Sequence, residues 1–173
     1  MKKYVRKFWL LCMSAVLATG VLSACEPIPS PEKNTSSMVS SGTSKGEICG
    51  QIIDDIKNYC HLSDMTDVTQ EQLFSLYGIQ DEYIAYFAAI KSTNSLSKDE
   101  AVVIQAMDEG SACSVRDCLQ SHYDKILKES QEYLPDEYEK VKTSEVVKDG
   151  IYVYLFVSDE NQKMTQIYNS YSK

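Results

Sequence analysis

Histidine is scarce in this chain, and two short motifs that mark common catalytic sites are missing. Only His61 and His122 occur among 173 residues. The sequence has no glycine-rich phosphate loop and no H-E-x-x-H metal pair. These absences exclude the P-loop nucleotide enzymes and zinc proteases that such motifs define.

Basic residues are also few, and they are unevenly placed. Lys and Arg together number 17 against 25 Asp and Glu, and four of the 17 lie within the first seven residues. A mature chain that starts at Cys25 would keep 13 of them and carry a formal net charge of −12. Such a charge opposes binding to nucleic acid or to anionic lipid headgroups, because both are negatively charged.

The apolar run from Phe8 to Leu22 is too short for a comfortable membrane helix, which needs ~20 apolar residues. Because basic residues precede it, the run has the layout of a secretory signal. It ends at Leu22-Ser23-Ala24-Cys25, which has the features of a lipobox. We therefore predict residues 1–24 as a lipoprotein signal peptide and Cys25 as the lipid attachment site. The alternative is an ordinary signal peptide that is cut near Ala24 and leaves Cys25 unmodified.

Proline is concentrated just after the predicted cleavage site. Three of the four prolines are Pro27, Pro29 and Pro31, and Ser, Thr and Gly dominate the residues that follow. The segment shows neither a helical nor a strand period, so residues 25–46 are predicted to be the lipidated cysteine and a flexible linker. Its 21 residues after Cys25 would span roughly 25 Å. Residues 47–173 remain as a single domain.

Four cysteines fall in the predicted domain, and an exported protein could pair them in two disulfides. Cys49 and Cys60 lie too far apart along one helix, and Cys113 and Cys118 face opposite sides of another. Two alternatives stay open. Either the cysteines cross-pair between the two helices, or they are free, buried thiols, which the spacing favours.

Capping signals mark the first two helices. Ser44 and Glu47 form an S-x-x-E capping box, which predicts a helix over residues 47–60. Thr69 and Gln72 repeat the signature before a short apolar stripe, and Gly78 supplies a left-handed stop. Two N-terminal helices are therefore expected.

The rest of the domain is predicted as ββαββα. Residues 83–91 and 101–107 indicate a hairpin, and residues 112–133 indicate a long helix ended by Pro135. A second hairpin surrounds Asp149-Gly150 and precedes a terminal helix. The expected fold class is α+β, with a four-stranded antiparallel sheet and helices packed on it.

The last strand is apolar on both faces. Tyr152, Tyr154 and Phe156 alternate with aliphatic residues. We expect the aliphatic face to meet the helices of the two ββα units. The aromatic face is either core beneath the N-terminal helices or a partner surface, and core is the commoner outcome.

One pair of residues could form a catalytic or metal site. Cys118 and His122 are four residues apart on the long predicted helix and so share a face, where an imidazole could activate a thiol. With Cys60 and His61 they could also hold zinc. The simpler interpretation is a buried thiol beside a histidine at the edge of the core.

Several local patterns occur together in this chain. They are the lipobox, the Ser/Pro linker, Leu76-Tyr77-Gly78, Asp99 to Ile104, Tyr133 to Glu137, and Gly150 to Asp159. Together they resemble one family, the uncharacterised lipoproteins of Firmicutes catalogued as domain of unknown function 4358. The resemblance covers about residues 47 to 171 and implies a Gram-positive envelope lipoprotein, but it carries over no catalytic or ligand-binding residue.

The sequence therefore predicts a non-catalytic binding or accessory module, exported and lipid-anchored to the outer face of the cytoplasmic membrane. Its expected partners are the membrane, through the anchor, and an envelope protein or cell-wall component, without nucleic acid. We expect no catalytic residue, metal or cofactor. The alternative is a thiol- or zinc-dependent envelope enzyme that uses Cys118 and His122.

Overall fold

The structure is a computed structural model that describes residues 45–172. The predicted signal peptide, the lipid site Cys25 and the cap Ser44 lie outside the described residues. Within them the chain forms five α-helices, five strands and one 3-10 turn. The elements are α1 (Lys45–Tyr59), β1 (Met65–Asp67), α2 (Gln70–Tyr77), the 3-10 turn (Asp81–Tyr83), β2 (Ile84–Ser92), β3 (Glu100–Ala106), α3 (Glu109–Tyr133), α4 (Pro135–Lys142), β4 (Val146–Asp149), β5 (Tyr152–Val157) and α5 (Asn161–Tyr171).

The strands form one antiparallel sheet in the order β1-β2-β3-β5-β4. β3 and β5 pair at its centre, where Val103 lies opposite Tyr154. Helices α2, α3 and α4 cover one face, and α1 and α5 cover the other. Because both faces are covered, the central strands are apolar on both sides.

Two cores therefore flank the sheet, and β5 contributes to both. Val153 and Leu155 pack in the core beneath α3, whereas Tyr154 and Phe156 pack in the core beneath α1 and α5. The prediction that the aromatic face is core is confirmed for Tyr154 and Phe156, while Tyr152 is half-buried. The aliphatic face does not meet the helices of both ββα units, because α3 and α5 lie on opposite faces.

The two cores are built from residues 49 to 168 of the described region. This region therefore has the buried apolar residues that a folding domain needs. Within residues 45–172, no helix is both long and apolar enough to cross a bilayer.

The predicted order of two N-terminal helices followed by a four-stranded sheet is wrong, because a fifth strand lies between the first two helices. β1 has three residues and pairs with the outer edge of β2, with Thr66 opposite Lys91. Asp64, just before it, has a φ of 55° and turns the chain into the strand. One half-buried residue followed by two exposed residues shows no alternation, so only tertiary pairing reveals this strand.

The helices after β3 also differ from the prediction. Pro135 was expected only to end a helix, but it also occupies the first turn of α4. A proline fits there because the first backbone N–H groups of a helix have no partner within that helix. α3 begins before residue 112, since the Asp108 side chain accepts a 2.7 Å hydrogen bond from the Ser111 backbone N–H.

Other local signals are confirmed. Thr69 and Gln72 form the predicted capping box of α2, and Gly78 ends this helix with a φ of 72°. β4 and β5 form the predicted hairpin, although Gly150 and Ile151 are its turn residues, one position later than expected. Gly150 has a φ of 58°, the left-handed region that such tight turns require.

The four cysteines of the described region are free. Cys49 and Cys60 are buried in the core beneath α1 and α5. Cys113 and Cys118 lie on α3, across the sheet, so the cross-paired disulfides do not form. Cys113 is exposed and not buried as the free-thiol alternative expected.

Candidate functional site

Cys118 and His122 do not act on each other in the structure. The Cys118 thiol donates a hydrogen bond to the carbonyl oxygen of Gly78, with Sγ and O 3.6 Å apart. Burial, and then the charge of Asp117, raise the pKa of this thiol. Nε2 of His122 lies 2.8 Å from Oε1 of Glu100. A nucleophilic cysteine needs a lowered pKa, so this geometry does not support the proposed pair.

The predicted zinc ligands are not brought together either. Cys60 belongs to the core beneath α1 and α5, and His61 is exposed beside Glu160. Cys118 packs against the core on the opposite face of the sheet. Among residues 45–172, no three His, Cys, Asp or Glu side chains gather as metal ligands would.

His122 instead belongs to a compact polar cluster that we call the Tyr–Glu–His cluster, formed by Tyr77, Glu100 and His122. Glu100 is the first residue of β3, and its side chain points to the same face as Val102, towards α2 and α3. Its Oε2 accepts a 2.9 Å hydrogen bond from the Tyr77 hydroxyl, and Oε1 binds His122. The rings of Tyr77 and His122 meet edge to face at 4.5 Å.

The side chains of this cluster are largely buried, which affects their charge. Only 7% of the Glu100 side chain and 14% of the His122 side chain are exposed. Burial, and then the charge of Glu100, raise the pKa of Tyr77 above its ordinary range. The phenol therefore stays protonated at neutral pH and can donate to the carboxylate. An ionised carboxylate only accepts hydrogen bonds, so the tautomer of His122 that suits this contact has its proton on Nε2.

A second polar network lies beside the cluster, at the start of β3. Nζ of Lys140 lies 3.0 Å from Oδ1 of Asp99 and 2.9 Å from Oε2 of Glu137. Glu137 also accepts a 2.7 Å hydrogen bond from the Lys98 backbone N–H. Burial disfavours the charged Lys140, but its bonds to Glu137 and Asp99 outweigh this and raise its pKa. The network ties α4 to the loop between β2 and β3.

A small cleft of about 150 Å³ opens between these two groups. The Tyr–Glu–His cluster lines it together with charged side chains of both signs, including Lys91, Lys98 and Asp99. The Ser97 hydroxyl in its wall donates to Asp99 and not to His122. The cleft therefore offers hydrogen bonds and paired charges to a small polar group, and the histidine is positioned without a serine or cysteine nucleophile bound to it among the described residues.

A family model described as Domain of unknown function (DUF4358) matches residues 58–158, more than half of the chain. The chain belongs to this family. The match is narrower than the expected range of about 47 to 171, and its description names neither an activity nor a lipid anchor. No curated protein and no solved structure matches the chain.

The Tyr–Glu–His cluster lies entirely within the DUF4358 match. Two of its members fall in patterns that carry the family resemblance, Tyr77 in Leu76-Tyr77-Gly78 and Glu100 at the start of β3. Their contact with His122 was missed because the three residues come from α2, β3 and α3. A carboxylate next to an aliphatic strand was the signal that could have indicated a buried partner for His122.

Proposed function

We propose that this chain is an exported lipoprotein, anchored through Cys25, whose DUF4358 domain is a non-catalytic module that binds another envelope component. The observation that carries the proposal is the sequence Leu22-Ser23-Ala24-Cys25 between a signal-like segment and a Pro/Ser-rich linker. Acyl chains suit an acidic protein as an anchor, because they need no attraction to anionic headgroups. A signal of this kind leads to the outer face of the cytoplasmic membrane.

The contacts of the domain support binding over catalysis. The Cys118 thiol is bound to a backbone carbonyl with a raised pKa, and His122 is held by Glu100. Both residues of the alternative enzyme therefore stabilise the structure around the cleft. The cleft itself presents charged and hydroxyl groups in fixed positions, as recognition sites do.

Fractionation of cells that express the full chain tests the anchor and the location together. We expect the protein in the membrane fraction, resistant to a high-salt wash and released by detergent. An external protease should digest the domain in cells whose wall has been removed. A chain that washes off with salt, or that is protected inside the cell, would contradict the proposal.

If the domain binds an envelope component, the binding should depend on residues at the domain surface. We expect crosslinking in intact cells to capture a defined envelope component. The yield should fall with Lys98→Glu, which reverses a charge in the cleft wall, and should persist with Lys128→Glu, an exposed control on α3. Equal capture by both variants would place the binding surface elsewhere.

Metal analysis and thiol titration of the purified protein distinguish the proposed binding module from the alternative enzyme. Our proposal predicts no stoichiometric zinc and no thiol with an acidic pKa. Stoichiometric zinc, or a Cys118 thiolate that reacts at neutral pH faster than the exposed Cys113, would favour the enzyme.

A further inference from the structure

A second concave site lies across the sheet from the Tyr–Glu–His cluster. We call it the aromatic groove, and it has a volume of about 380 Å³. It is enclosed by the start of α1, the end of α5 and the turn between β4 and β5. Its walls include Ile48, Tyr152, Tyr168 and Tyr171, with Asp149 at one side.

Each tyrosine of the aromatic groove is fixed through its hydroxyl. Tyr152 donates to Oε1 of Gln105 at 3.0 Å, and Tyr168 donates to Oδ2 of Asp149 at 3.1 Å. Tyr171 donates to Oδ2 of Asp55 at 2.6 Å. Rings that are held in place lose little freedom when a ligand binds, which favours affinity.

These hydrogen bonds also set the charge of the groove. Two of the three phenols donate to carboxylates, so negative charge lies directly beyond the rings. The hydrogen bond to Asp55, and then burial, raise the pKa of Tyr171 to about 12, so the ring stays neutral at physiological pH. The face of a neutral aromatic ring carries partial negative charge.

Among the described side chains that line the groove, the charged one is Asp149, so this part of the wall is complementary to a cation. The mainly apolar wall of the groove disfavours a small, strongly hydrated ion such as a metal, which would lose its water without receiving enough oxygen ligands. A bulky cation whose positive charge is spread over methyl groups suits this wall. It packs on the rings, and it is weakly hydrated, so it loses little when it leaves water.

We propose that the aromatic groove binds a small quaternary ammonium compound, with its methyl groups against the half-buried Tyr152 and Tyr171 and its charge near Asp149. Aromatic faces recognise such cations by cation–π attraction. A volume of about 380 Å³ suits a free small molecule better than a protein segment. The inference rests on the binding role proposed above and names a ligand class for it, but it does not depend on the anchor.

The test uses residues 25–173 in solution, because the domain has its own core. Cys25→Ser prevents oxidation of the unlipidated cysteine. Tetramethylammonium chloride is titrated and followed by two-dimensional amide NMR. We expect saturable shifts at the amides of Gly150, Ile151 and Tyr171. tert-Butanol, an uncharged molecule of similar shape, should bind about tenfold more weakly or not at all. Sodium chloride at equal concentration controls for ionic strength.

Variants separate the contribution of the rings from that of the charge. Tyr171→Leu removes a ring from the groove and should weaken binding about tenfold, whereas Tyr171→Phe keeps the ring and should retain most of it. Asp149→Asn should weaken binding without removing an aromatic face. Tyr133→Leu removes an exposed tyrosine outside the groove and should have no effect. Thermal melts establish that each variant is folded.

Three results would overturn the proposal. They are the absence of saturable shifts at these amides, equal binding of tert-butanol and the cation, and self-association through the groove that the cation does not displace. None of them would change membrane retention or palmitate labelling in cells. The failure of this inference is therefore distinguishable from the failure of the proposed anchor.

Discussion

At the scale of single residues, the domain buries polar groups only where they have partners. In the described part of the chain, every buried side-chain nitrogen or oxygen of a residue that is not exposed has a hydrogen-bond partner. Glu100 and Lys140 are the clearest cases, because both are ionisable residues that are over 90% buried. A buried charge without partners would cost several kcal/mol, so these contacts are needed for folding as well as for the shape of the cleft.

A substitution of Tyr154 tests whether the aromatic face of β5 is part of the core. Its ring packs against Phe156 at 4.8 Å and against Tyr168 at 4.2 Å between centroids, and only 6% of the residue is exposed. Tyr154→Ser should therefore lower the free energy of unfolding by about 3 kcal/mol or more. Tyr133→Ser, at a site with 75% exposure, is the matched control and should melt like the parent protein. A Tyr154→Ser variant that melts within about a degree of the parent would show that this ring is not core.

Glu160 gives the stability of the domain a dependence on acid pH. The backbone N–H of His61, then Lys163, lower the pKa of Glu160 to about 2. Because this pKa lies below that of an unfolded glutamate, the charged side chain stabilises the fold above pH ~4.5, and the contribution disappears as the pH falls through about 2.

We expect Glu160→Gln to unfold at a lower urea concentration than the parent protein at pH 7, and the difference to close as the pH falls towards 2. Asp159→Asn, at an exposed neighbouring carboxylate, should change the midpoint much less. A gap between parent and Glu160→Gln that is constant from pH 7 down to pH 2 would contradict the assignment.

At the scale of elements, sequence reasoning succeeded where a local signal decides the structure. The capping box of α2 and the glycine turn of the β4–β5 hairpin are examples, since both depend on neighbouring residues. It failed for β1, which is stabilised by pairing with β2, and for α4, which begins at a proline that also follows a helix. The site was predicted in part, because His122 was selected but its partner Glu100 comes from a strand that only the tertiary fold places nearby.

Two glycines, one at the end of α2 and one inside α1, test opposite effects of adding a side chain. Gly78 has a φ of 72°, so Gly78→Ala forces a side chain into the left-handed region and should destabilise the protein by about 1 kcal/mol. Gly50 lies inside α1, and a Cβ built there meets nothing within 4 Å. Gly50→Ala should therefore stabilise the protein by about 0.5–1 kcal/mol. Urea unfolding of both variants measures the two effects, and a shift of the same sign in both would contradict this account.

At the scale of the whole molecule, the two proposed recognition sites lie on opposite faces of one sheet. The Tyr–Glu–His cluster belongs to the segment that the family model matches, whereas Tyr168 and Tyr171 of the aromatic groove follow residue 158, where the match ends. A linker of the predicted length would leave both faces accessible above a membrane.

Palmitate labelling in cells tests the proposed lipid anchor at Cys25. Cells that express the full chain are grown with radiolabelled palmitate, alongside cells that express Cys25→Ala and cells that express Cys113→Ala, an exposed cysteine within the domain. We predict label in the parent and in Cys113→Ala, and loss of both label and signal removal in Cys25→Ala. Equal labelling of the Cys25→Ala chain, or a processed Cys25→Ala chain that stays in the membrane without label, would contradict the account.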